Sequence, residues 1–196
     1  MSRPVKMAFT GVILALVATV AGVGTFAYFS ATTESTGNTF AAGTVTISDN
    51  DAGSAVVSLS SAAPGDASTG CIRVTNTGSM GVQVRLYGTV SGDLAPYLSL
   101  TVTRGTDSSP SFNSCAGFTA DGTDYIGAGA GVTYSGTLGA YPSTYGSGIL
   151  DPTSGAPVTW SPGQSVSYRY RAELQNDTAA QGKTATVTFT WEARNS

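Results

Sequence analysis

The chain has 196 residues, 41% apolar and only 11% charged, with 9 Lys and Arg against 12 Asp and Glu and no His. Lack of His excludes Ser-His-Asp triads, Cys-His pairs, HExxH helices and His-ligated metal sites. The acidic balance, with arginines scattered in at most alternating pairs, leaves no phosphate-binding surface, so no nucleic-acid partner is expected.

Residues 1 to 6 carry Arg3 and Lys6, and Met7 to Gly24 hold no charge and read MAFTGVILALVATVAGVG. A basic start followed by such a run is a secretory signal, here a helix over 1–27. The small-x-small tripeptide Thr25-Phe26-Ala27 places cleavage between Ala27 and Tyr28, with a cut before Phe29 as the neighbouring choice. An uncleaved membrane anchor is the competing reading. Cleavage makes the protein secreted, touching membrane only through the signal segment, and removes two bases but no acid.

From Phe29 onward helical spacing is absent and period-two alternation recurs. Strands are expected at 44–47, 55–59, 71–76, 82–90, 98–104, 132–138, 157–160, 166–174 and 184–193. In the last, Ala185, Val187, Phe189, Trp191 and Ala193 alternate with four threonines and Glu192, one face apolar and the other hydroxylated. Pro64-Gly65 and Pro162-Gly163 each precede a strand and read as tight corners. Short strands separated by turn chemistry imply one all-β domain over 44–196, built as two packed antiparallel sheets. Within it 105–155, rich in Gly and Ser, reads mainly as a long decorated loop region.

Export makes Cys71 and Cys115 a disulfide pair that ties this loop region to a strand, with two buried thiols as the alternative. Asp49-Asn50-Asp51-Ala52-Gly53 has the look of a calcium turn, and Asp121 and Asp124 are further weak candidates. A calcium loop ending in Glu is missing and Asx turns explain both stretches, so no metal or other cofactor is expected. Tyr134, Tyr141 and Tyr145 either stack on sugars or tie down their loop.

Gly24 to Ile47, GTFAYFSATTESTGNTFAAGTVTI, resembles the N-terminal signature of the TasA/camelysin family of secreted Gram-positive proteins, exported with a SipW-type signal peptide. Pro64-Gly65-Asp66, Val74-Thr75-Asn76-Thr77-Gly78-Ser79 and Phe189-Thr190-Trp191-Glu192-Ala193 extend the resemblance, and the middle of the chain is unmatched. The resemblance implies a jelly-roll sandwich and a biofilm-matrix or surface-fibre subunit that self-assembles, with matrix or cell-wall partners. It also implies that residues 28–43 form an extended donor segment completing the sheet of the next subunit, with Phe29, Thr32, Thr36, Asn38 and Phe40 as its assembly residues. The segment is uncharged except for Glu34, and a simple post-cleavage linker is the other reading of 28–40. Camelysin itself is described as a metalloprotease, and a chain without His departs from that activity, so no enzyme is expected. A monomeric adhesion or ligand-binding module working through the 105–155 loops is the alternative function.

Overall fold

A computed structural model describes residues 43–152 and 158–195. The expected signal helix, the Ala27–Tyr28 bond and Phe29, Thr32, Thr36, Asn38 and Phe40 lie outside them. Among the described residues, alternating apolar and hydroxylated residues form nine strands: β1 (Ile47–Asp49), β2 (Ala67–Asn76), β3 (Val82–Ser91), β4 (Leu98–Asp107), β5 (Phe118–Ala120), β6 (Val132–Thr137), β7 (Ile149–Leu150), β8 (Ser165–Leu174) and β9 (Thr186–Asn195). The described residues contain short 3-10 turns but no α-helix.

All pairings are antiparallel. One sheet runs β1-β2-β8-β4, with β5 and β6 both on the far side of β4; the other runs β7-β3-β9. Consecutive strands β2, β3 and β4 cross from sheet to sheet, as do β8 and β9, the wrapped connectivity of a jelly-roll sandwich. The core lies between the sheets. Val166, Tyr168, Tyr170, Ala172 and Leu174 of β8 are all buried, facing Val187, Phe189 and Trp191 of β9. Tyr170 meets Phe189 with ring centroids 4.4 Å apart.

The corners follow from their residues. Gly65 and Gly163 take φ of +88° and +79°, and turn bonds close from Asp66 N to Ala63 O and from Gln164 N to Ser161 O. Proline fixes the preceding turn position while glycine adopts the left-handed one. Asn76 is fully buried at the β2–β3 corner; its Nδ2 donates to Met80 O at 2.9 Å and Trp160 O at 3.1 Å, and its Oδ1 accepts from Gly78 N.

Several expected strands are shifted or absent. Thr44 and Thr46 bond the 77–80 corner, so the first strand begins at Ile47 rather than 44. Residues 55–59 form no strand: Ser58 N donates to Ser68 Oγ and Val56 is buried, so the segment docks beside β2 through side-chain contacts. Of the expected 157–160 strand, the described residues 158–160 make a single bridge, between Trp160 and Val82. The segment 105–155, expected mainly as loop, carries β5, β6 and β7.

Candidate functional site

Sheet edges are where a β protein is open to another chain, because their N–H and C=O groups lack strand partners. Among the described residues, the long strands β2, β4 and β3 are each covered by short edge strands of two to six residues. β1 covers Val74 to Asn76 of β2, and further along Asn113 N donates to Cys71 O. β5 and β6 cover β4. The outer side of β3 meets Trp160, β7 and, through Gly88 N, Pro142 O. β9 differs: among the described residues, its ten-residue outer edge from Thr186 to Asn195 has no backbone partner, all its pairing being with β3.

Along that edge the sheets stand apart. A groove of about 670 Å³ opens beside the first half of β9, lined by Leu59, Leu94, Leu98, Leu100, Leu138, Leu174, Val187 and Phe189. A second cavity of about 230 Å³ continues it between Ile47, Ser48, Asp49 and Val74 on one wall and Phe189, Thr190 and Trp191 on the other. Phe189 borders both, so they form one seam. Trp191 lines this section with its ring, while its Nε1 is buried without a hydrogen-bond partner. The seam, leucine-lined in its larger section and mixed with hydroxyl and amide side chains, is elongated and bordered by a free strand edge, which is the form of a site for an added strand.

On the opposite side lies a buried charge cluster. Asp151 is 1% exposed and accepts Arg104 Nε at 2.8 and 3.1 Å and Trp160 Nε1 at 2.9 Å. Arg104 also pairs with Asp121, which accepts Tyr125 OH at 2.8 Å. Burial pushes the Asp151 carboxyl above its ordinary value in spite of Arg104 beside it. Burial opposes the Arg104 charge, but the two carboxylates hold the guanidinium above its usual value. Burial likewise raises the Tyr168 and Tyr170 hydroxyls well above theirs, with Asp151 adding to both.

Cys71 and Cys115 form a disulfide with Cα atoms 5.2 Å apart, fastening the loop after β4 to β2. The four acidic candidates are not brought together. Asp49 sits at the β1 edge and Asp121 beside β5, four strand spacings or about 19 Å across the sheet. Asp49 and Asp51 accept backbone N–H groups two residues on, and Asp124 accepts Gly127 N and Ala128 N. These are Asx-type turns. Tyr141 is buried edge-on against Phe189 and Tyr134, whose OH donates to Thr137 O, so both rings serve packing. Tyr145 lies under the guanidiniums of Arg194 and Arg85, 3.7 and 5.4 Å from its centroid. The open β9 edge and the Arg104–Asp151 pair were not legible from the sequence. Alternation marks β9 as half-buried but is the same for an edge and a central strand, and Asp151 before Pro152 has the look of a surface turn.

The architecture and its seam define a β-sandwich protein with one ten-residue strand, β9, open along its outer edge among the described residues. Over residues 2–91, a little under half of its length, the chain is similar to the model of the camelysin metallo-endopeptidase family. The match ends in β3, leaving the rest of the sandwich outside it. No curated protein gives a significant match to the chain. The family's description implies a catalytic metal, and the residues present do not fit one. There is no His, both cysteines are in the disulfide, and no three potential ligands gather among the described residues. Asp121 and Asp151 are already committed to Arg104.

Proposed function

We propose that this protein is a secreted, non-enzymatic subunit of an extracellular matrix or surface fibre, assembled by strand addition. The observation that carries the reading is the open outer edge of β9 above a leucine-lined groove. Residues 28–43 of a second copy supply the strand. Sixteen residues span about 50 Å when extended, more than the roughly 33 Å of a ten-residue edge. Main-chain hydrogen bonds along β9 give affinity, and side chains entering the seam give specificity. Export through the 1–27 signal delivers the subunit to the compartment where the Cys71–Cys115 bond persists.

The test is negative-stain microscopy with size-exclusion chromatography on the chain from Tyr28 beside one from Gly43. Fibres from the first and monomers from the second are the expected result. Monomers from both at high concentration, with the disulfide intact, would remove the fibre reading and turn the search to ligands of the 105–155 loops.

A further inference from the structure

Strand addition, as proposed above, leaves open which side chains of the incoming segment enter the seam. Period two decides between two sets, because successive residues of a strand face opposite sides. Phe29 and Phe40 are eleven positions apart and cannot both face inward in one continuous strand. The even set would turn Glu34 inward with Thr32, Thr36, Asn38 and Phe40. The odd set turns Phe29, Ala31, Thr33, Ser35, Gly37 and Thr39 inward and leaves Glu34 in water.

The seam's chemistry selects between them. Its lining among the described residues holds a single cation, Lys183, whose Nζ already donates to Tyr97 OH at 3.3 Å and lies over that ring. Its acids are Asp49 and Asp177. A carboxylate turned into this space would meet no free cation and two acids, an unfavourable placement. The odd set has no charge, one large apolar side chain and a run of small ones. That matches a seam with one large leucine-lined section beside the start of β9 and a narrow section at Trp191.

We infer that the strand-adding segment of a second copy enters the β9 seam with its odd-numbered residues inward and Phe29 as the anchor in the leucine-lined groove. Glu34 then faces solvent together with Thr32, Thr36, Asn38 and Phe40, so that of the five assembly residues the resemblance implies only Phe29 enters the seam. With Phe29 at the Thr186 end of β9, the donor runs parallel to β9, and the small side chains of Thr33 and Ser35 come level with the narrow section at Trp191. The reverse direction would put glycine and threonine against the large groove and leave it unfilled.

The experiment measures the concentration needed for assembly, by sedimentation, for the chain from Tyr28 and four variants. Phe29→Ala and Ala31→Asp should raise it at least about tenfold, whereas Phe40→Ala and Thr32→Asp should leave it within about threefold. All four changes lie outside the described sandwich, so circular dichroism should be the same for each. For direction, Ser30→Cys should cross-link between subunits with Thr186→Cys and not with Arg194→Cys. If Phe40→Ala and Thr32→Asp block assembly and the odd pair does not, or if the cross-link forms at residue 194, the inference is overturned while strand addition stands. If the chain from Gly43 assembles as readily as the chain from Tyr28, or neither assembles, strand addition by 28–43 is itself wrong and the inference falls with it.

Discussion

Arg104 of β4 donates its Nε to both carboxylate oxygens of Asp151, joining one sheet to the rim of the other through a pair whose acid is almost wholly buried. Two charges removed from water stabilise little as a pair, yet removing one partner strands the other. Asp151 further receives Trp160 Nε1, and Trp160 is bridged to Val82 at the start of β3, so the pair also fixes the far rim of the sandwich.

Arg104→Leu should therefore lower stability by about 3–5 kcal/mol near neutral pH. The sign of its pH dependence follows from Asp151. A carboxyl raised above its unfolded value of 3.8 binds its proton more tightly in the fold, so its contribution is full in acid and declines as pH rises through the folded value. Without Arg104 the folded value climbs further and the decline deepens. Urea unfolding at about pH 4.5 should then show a smaller penalty for the variant than at about pH 7.5. An equal penalty at both would mean that packing of the Arg104 stem, rather than the stranded charge, accounts for the loss.

The disulfide makes a separate contribution. Cys71 and Cys115 are 44 residues apart, and closing a loop of that size in the unfolded chain is worth about 4 kcal/mol. Cys115→Ser should lower the thermal midpoint accordingly and speed hydrogen exchange in the loop between β4 and β5, where Ser108 N bonds Gly117 O. Reduction of the unaltered chain should reproduce both effects.

The sheets themselves were largely readable. Period two placed the inward faces of β8 and β9 residue by residue, since a half-buried strand needs that alternation to keep its apolar side dry. Pro-Gly located both corners because only that chemistry sets the two turn angles at once. What stayed hidden is pairing. Residues 55–59 are as apolar as a strand yet form no ladder, and β5 and β7 are too short for any period to show. The seam is hidden for the same reason: an absent neighbour leaves no mark on the sequence of β9.

Close approach of 55–59 to β2 predicts the effect of a small change. A Cβ at Gly70 would run into the Val56 carbonyl oxygen and Asn113 Oδ1. Gly70→Ala must push the covering segment outward, and overpacking of this kind costs about 1–3 kcal/mol. Gly122→Ala, whose Cβ meets nothing within 4 Å, should change stability by less than about 0.5 kcal/mol. Denaturant melts of the two variants side by side would show the difference, and equal melts would mean that 55–59 does not rest on β2.

The family's peptidase description can be tested on binding rather than on activity alone. A metal bound to the native state stabilises it in proportion to the logarithm of its concentration over the dissociation constant, so a hundredfold excess would contribute about 2.7 kcal/mol. With no His, no free thiol and the Asp121 and Asp151 carboxylates held by Arg104, neither zinc addition nor chelation should move the thermal midpoint by more than about 1 °C. Casein should remain uncleaved under both conditions. A rise in midpoint with zinc that is lost on changing Asp49 and Asp51 to Asn would locate a metal on the β1 edge, and zinc-dependent cleavage would restore the peptidase reading for this chain.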